Sequence, residues 1–344
     1  MRDLLVAGGG PVGLATALHA ARAGLDVAVL ERREGTIDKA CGEGLMPGAT
    51  ASLADLGVRP PGHPITGIRY VEGDRLGGRV AEAPFRHGGG LGVRRTALHA
   101  ALSAAVAAAG IPVVHRTVRS VRDVGDRVVV DGEVARYLVA ADGLHSPVRR
   151  MLGLDRPVQT RRRFGQRRHV QVAPWTSFVE VHWSRVGEAY VTPVAPDEVG
   201  VAILTRERRT WAELLAAFPA LAERLDGPLV SELRGAGPLR QRARRRAAGR
   251  VLLVGDAAGY VDALTGEGIA LGLAQARAAV AALVADRPGR YELAARRLGW
   301  RHELLTQGLV TATRSVAVRD RLVPAAVRLP RVFGAAVDVL ARPA

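Results

Sequence analysis

The 344 residues contain one cysteine, Cys41. An internal disulfide is therefore excluded, as is a structural zinc site built on several cysteines, and no metal is expected. Lysine is almost missing as well: Lys39 is the sole one among 49 basic residues. The net charge of +16 thus rests on arginine, and a composition biased toward Arg, Ala and Gly accounts for it without a polyanionic partner. Aromatic residues make up only 4%, few for a protein that stacks exposed bases, so nucleic-acid binding is not expected. No stretch reaches about 18 uninterrupted apolar residues. The N-terminus lacks the three-part layout of a cleavable signal. A cytoplasmic protein is the simplest expectation, with peripheral contact to a membrane surface left open.

What is present suffices for a folded core. The chain is 48% hydrophobic and 24% charged, which excludes general disorder. Its length suggests about two domains of roughly 100–200 residues each.

The most informative segment is the first. Leu4 to Ala7 reads as a short strand and runs into Gly8-Gly9-Gly10-Pro11-Val12-Gly13, a G-x-G-x-x-G pattern. A helical stretch follows to Arg22, then a second buried strand, Val27 to Leu30, with Glu31 at its end. Gly8 permits the tight turn, Gly10 lets backbone approach a pyrophosphate, and Gly13 allows close helix–strand packing. The helix N-terminus offers free N–H groups to phosphates. Glu31 suits a ribose hydroxyl pair and would repel a 2′-phosphate. The strand–turn–helix context makes this a dinucleotide site rather than an unliganded glycine turn.

Two later motifs follow in order. Arg136 to Ala141 is a strand that ends in Asp142-Gly143. Val251 to Val254 is another, ending in Gly255-Asp256 and leading through Thr265-Gly266-Glu267-Gly268-Ile269 into an alanine-rich helix. Arg95 opens a third helical stretch. With these marks the chain resembles the flavoprotein hydroxylase fold shared by para-hydroxybenzoate hydroxylase and the geranylgeranyl reductases. The resemblance spans residues 8 to 269 and implies FAD as cofactor. It implies an α/β protein in which a Rossmann-like FAD-binding domain (1–60, 91–155 and 245–290) interleaves with an antiparallel-sheet substrate domain (61–90 and 156–244). Helices close the chain (291–344). By resemblance Arg95 touches the FAD phosphates, Asp256 the ribityl or ribose part, and Asp142 is mainly structural. Pro11, Val12, Arg32, Cys41, Val118, Gly266, Gly268 and Ile269 are further cofactor-binding candidates. The helix after Gly266 would point its N-terminus at the flavin.

Cys41-Gly42-Glu43-Gly44 resembles the Cys-Gly-x-Gly segment of geranylgeranyl reductases and related menaquinone-side-chain reductases. Cys41 and Glu43 are candidate proton donors to a substrate carbon, or Cys41 makes a structural contact; Lys39 is placed to lower the thiol's pKa. Ala263 stands where the family often has proline. Met46, Trp175, Trp183 and Tyr190 are candidate pocket residues, with Glu180 and His182 as polar handles. An apolar substrate, aromatic, polyketide or isoprenoid, is expected, with hydroxylation and C=C reduction both open. A second Rossmann fingerprint is missing; Gly88 to Gly92 has no preceding apolar strand and reads as a loop. NADPH or NADH would then reduce the flavin from a groove, or a partner reductase would supply electrons. Two arginine runs, Arg161-Arg162-Arg163 with Arg167-Arg168 and Arg240 to Arg246, are either solvated surface or docking points for nucleotide phosphates, an acidic carrier protein or anionic lipid.

Overall fold

The computed structural model describes residues 1–158 and 162–341; Arg161 of the first arginine run lies outside them. The parallel sheet has the spatial order Val251–Leu253, Glu133–Ala140, Arg2–Ala7, Val27–Glu31, Val113–His115. These strands are near-continuous apolar runs because both faces are covered. Leu4, Val6, Val29, Tyr137 and Val139 face one way, onto Leu14 and Leu18 of helix Pro11–Arg22, Leu98 and Leu102 of helix Arg95–Ala108, and Leu273 and Val280 of helix Gly268–Val284. Leu5, Ala7, Leu30, Leu138 and Ala140 face the other way into a second cluster. A period of two thus divides one set of strands between two cores.

A second sheet of seven strands runs Arg234–Ala236, Phe164–Val170, Glu198–Thr205, Gly187–Ala195, Phe178–Ser184, Gly67–Glu72, Val80–Pro84. It is antiparallel except where Phe178–Ser184 meets Gly67–Glu72 in parallel register. These two strands come from separate insertions, so no hairpin constrains their direction; a parallel pair needs only a long connection. One face carries Ala189, Val191, Val201 and Ile203 against Trp211, Leu214 and Phe218. The other carries Val181, Trp183, Tyr190 and Leu204 toward Leu264, Val310 and Val323.

Helices Arg290–Ala312, Val316–Arg328 and Pro330–Ala341 end the described chain. Ala326, Phe333 and Val337 close over Ala81 and Ala83 of the sheet edge. Among the described residues no helix is long and apolar enough to cross a membrane. The Gly88–Gly92 run corrects the expected loop: Gly90–Gly92 is a strand between Gly44–Leu45 and His63–Ile65. Its glycines admit close packing, since a Cβ on Gly92 would lie 1.7 Å from the Pro193 carbonyl oxygen.

Candidate active site

The glycine loop is shaped by backbone crowding. Gly8 has φ +107°, and a Cβ there would stand 2.5 Å from the Ala141 oxygen. A Cβ on Gly13 would meet the Gly8 oxygen at 1.9 Å. Above Gly10 the nearest atom to a Cβ would be Arg95 Nη2, at 3.7 Å. Helix Pro11–Arg22 starts from Gly10 with proline at its first turn, no side-chain cap and no acidic residue there. Its free N–H groups and positive dipole end therefore face the Arg95 guanidinium region. Arg95 is buried, and its Nη1 has no partner among the described residues. Burial pulls its pKa down, with Cys41, Asp256 and Glu43 opposing. A buried guanidinium nitrogen without a partner, above a loop open only to backbone, fits a phosphate.

Glu31 closes the same loop. The Gly9 N–H donates to its Oε2 at 2.7 Å, and the Arg33 N–H to Oε1 at 3.0 Å. Burial works against its ionisation, but these bonds win and hold the carboxyl below its ordinary range. Arg32 is exposed beside it. Val118 packs partly buried against the second core cluster, just past Arg116, whose N–H donates to the Glu31 carbonyl. His99, unforeseen from the sequence, ties the loop to helix Arg95–Ala108 through Nε2 and the Gly9 carbonyl, 3.0 Å apart.

The late motif is held from behind. Gly255 has φ +58° and donates its N–H to Gln275 Oε1 at 2.8 Å. Val12 wedges between Gly255 and Gly272, where added Cβ atoms would meet it at 3.2 and 2.5 Å. Arg149, almost wholly buried, donates to the carbonyls of Ala257 (3.0 Å) and Leu144 (3.1 Å) and to Gln241. Nothing local in sequence marks Arg149 or Gln275, because each acts on a segment about a hundred or twenty residues away. Asp142 accepts the Val148 N–H at 3.0 Å through Oδ2, which fastens the turn, while its Oδ1 has no partner among the described residues. Asp256 has its pKa raised by burial, against the pull of Lys39, Arg95 and Arg149. Helix Gly268–Val284 begins without a side-chain cap, Gly266 (φ +70°) has open space beside it, and Ile269 packs on the first core.

The Cys41 segment lies between these motifs and the second sheet. Thr192 Oγ1 donates to the Gly42 carbonyl at 2.7 Å, and a Cβ on Gly44 would meet Val179 at 3.4 Å. The half-buried thiol accepts the Glu43 N–H at 3.4 Å. Burial pushes its pKa up and the Glu43 carboxylate pushes the same way, with Arg95 opposing. This corrects the expectation that Lys39 lowers it: Lys39 Nζ sits beside Gly143 and acts on Asp256 and Glu31 instead. Glu43 is buried in a left-handed backbone conformation, φ +61°. Its Oε1 accepts the Arg95 N–H at 2.7 Å and its Oε2 lies 2.6 Å from His169 Nε2. Both oxygens are engaged by protein, so Glu43 positions the segment rather than facing a substrate. Tyr260, one residue past Gly259, is a residue the sequence reading missed. Burial, then Asp256, Asp262 and Cys41, raise its phenol well above the ordinary value, so it stays protonated.

Of the pocket candidates, Trp183 and Tyr190 lie on the sheet face toward Leu264, and the Tyr190 hydroxyl donates to the Leu264 carbonyl at 2.8 Å. Ala263 packs beside them. Trp175 is a correction: it packs against the opposite face and donates Nε1–H to Glu180 at 3.0 Å. Glu180 and His182 point there too, because strand alternation puts them with Ala189 and Val191. Met46 is buried at the start of helix Pro47–Asp55.

The first arginine run is likewise not a surface patch throughout. Arg163 and Arg167 are buried. Arg163 pairs with Glu188 and, at 3.5 Å, with Asp262. Arg167 pairs with Asp38 and donates to His169 Nδ1 at 3.0 Å. In the second run Arg246 pairs with Glu303, while Arg242, Arg244 and Arg245 are exposed.

A strand–glycine-turn–helix start, an unpartnered buried arginine above it and a late Gly-Asp turn beside an uncapped helix define a dinucleotide-binding flavoprotein. The chain belongs to the family described as FAD binding domain, whose profile matches residues 1–290. It is 31% identical to the menaquinone reductase of Mycobacterium tuberculosis, over 86% of this chain and 83% of that one. It is 27% identical to digeranylgeranylglycerophospholipid reductase 1 of Methanothermobacter thermautotrophicus, over 79% of this chain and 74% of that one. In structure it is similar to p-nitrophenol 4-monooxygenase of Pseudomonas putida, with a TM-score of 0.82, 20% identity and coverage of 99% and 96%. The protein is an FAD-dependent oxidoreductase, and it shares the fold of the monooxygenase.

Proposed function

We propose that the enzyme reduces a carbon–carbon double bond of an apolar, isoprenoid-like molecule. Gly8, Gly10, Gly13, Glu31, Arg95, Gly255, Asp256 and the start of helix Gly268–Val284 would hold FAD, which when bound supplies hydride chemistry. Saturating a double bond also needs a proton at the second carbon. The carrying observation is Cys41: its thiol keeps its proton under the joint push of burial and Glu43, in a segment that packs on the sheet. Cys41 Sγ holds that proton and Tyr260 Oη is a second proton-bearing group in electrostatic contact with it. The face formed by Val181, Trp183, Tyr190 and Leu264 is apolar, as a prenyl chain requires. Likeness to the menaquinone reductase supports the same choice.

Electrons come from NADPH or NADH bound in a groove, without a Rossmann unit of its own, or from a reductase partner. Exposed Leu304, Leu305 and Val332 on the terminal helices, and Leu329 between two of them, support contact with a membrane surface that stores such substrates. The test is anaerobic: the dithionite-reduced holoenzyme is given a polyprenyl quinone and the product weighed by mass spectrometry. After the quinol is reoxidised in air, a gain of two hydrogens retained in the prenyl side chain is expected, with the Cys41→Ser variant keeping its flavin and slowing turnover. Oxygen-dependent hydroxylation without anaerobic product would replace this reading by a monooxygenase.

A further inference from the structure

We propose that the cavity between the Ser184–Gly187 turn, the end of strand Glu198–Thr205 and the Thr313–Arg319 helix junction binds a phosphate-bearing small molecule of the catalysed reaction. The cavity has a volume of about 620 Å³, within the range of small-molecule sites. Arg185, Arg206, Arg208, Arg314 and Arg319 line it. Its two carboxylates are taken: Glu188 pairs with Arg163, and Glu207 with Arg209 outside the lining. Among the described residues none of those five arginines makes an ion pair. Arg319 is fixed in place, donating to the Ser184 carbonyl at 3.1 Å and the Thr313 carbonyl at 2.9 Å. Arg206 is half-buried; burial, then Arg163, pulls its pKa down against the opposing Glu188, with Arg314 and Arg319 adding to the fall. Like charges are thus gathered in a concavity; Arg319 spends its donors on backbone carbonyls and adds charge, while Arg185, Arg206, Arg208 and Arg314 carry donors suited to phosphate oxygens.

The cavity continues inward. Arg163, Arg206 and Arg314 also line a smaller pocket whose far wall is Val261, Asp262 and Val310. This inner pocket has room for about one water, and Asp262, which pairs with Arg163 at its wall, belongs to the turn between Asp256 and Gly266, so a phosphate held in the outer cavity lies one layer of side chains from that turn. The phosphate can belong to a nicotinamide dinucleotide or to a substrate that carries its own.

The test uses holoenzyme and inorganic pyrophosphate, followed by isothermal titration at low and high salt. Wild type should bind, with affinity falling as salt rises, and the double variant Arg206→Gln, Arg314→Gln should bind at least about tenfold more weakly. Equal binding by both proteins, or none by wild type, overturns the proposal. Anaerobic flavin reduction then separates the sources. A rise in half-saturating NADPH in the double variant assigns the phosphate to the donor. Unchanged NADPH with a raised substrate KM assigns it to the substrate. No change in either overturns a role in the reaction. The titration needs no turnover, so its result stands apart from whether the double-bond reading survives.

Discussion

The nucleotide half and the sheet half solve the burial of polar groups in opposite ways. Around Gly8–Gly13 and Gly255–Asp256 the work is done by backbone: tight turns, free helix N–H groups, and single side chains such as Glu31, Gln275 and Arg149 that meet N–H or carbonyl groups. One cation there, Arg95, keeps a nitrogen unpaired. Under the second sheet, charge meets charge. Arg167 joins Asp38 and His169, which joins Glu43; Arg163 joins Glu188 and Asp262. The first half presents Arg95 to a ligand's charge without a carboxylate partner, whereas in the second Arg163 and Arg167 each pair with a carboxylate and so can pin the Cys41 segment without a ligand.

The contrast is broken most severely by removing one member of the self-neutralised network. Arg167→Ala removes the buried cation between Asp38, which keeps Arg234, and the His169–Glu43 pair, and a loss of about 3 kcal/mol or more is expected in urea unfolding. Next comes Gly13→Ala, where the new Cβ has no room against the Gly8 oxygen. Strain of about 3 kcal/mol and loss of bound flavin are expected, read from the melting temperature and the visible spectrum. Arg95→Leu sharpens the comparison from the other side. Its guanidinium nitrogen has no protein partner to abandon, so the apoprotein should unfold nearly as wild type does. FAD affinity, measured by quenching of flavin fluorescence, should fall by roughly ten- to a hundredfold. If the apoprotein were as damaged as Arg167→Ala, the two halves would not differ in kind.

The same contrast decides what was legible in the sequence. The nucleotide half is written in short spacings: six residues hold the glycine turn, and Glu31 follows one helix and one strand later, so the fold and the FAD loop could be read directly. The roof is written in long-range pairs. Glu43 meets His169, and Asp38 meets Arg167, across more than a hundred residues. No local pattern announces such pairs, and an arginine run reads as surface until strand alternation is known to turn Arg167 inward. Trp175 was misplaced for a related reason: it precedes its strand, so period-two counting could not assign its face.

The smallest effect is expected from pH, through His99. The Ile37 N–H donates to its Nδ1 at 3.4 Å, so Nε2 carries the ring hydrogen and donates to the Gly9 carbonyl. Burial, then the Arg95 charge, holds its pKa below the usual 6.5. Protonation would set an Nδ1–H against the Ile37 N–H. The unfolded chain therefore takes up the proton first, and the stabilising contribution is complete above the ordinary imidazole pKa and lost as pH falls below it. Thermal unfolding of the holoprotein should show stability declining from pH 7.5 toward 5.5. In His99→Gln the amide can accept from Ile37 and donate to Gly9 without titrating, so that decline should flatten. Parallel curves for the two proteins would mean that other groups set the acid limb, and that the glycine loop does not sense pH through this imidazole.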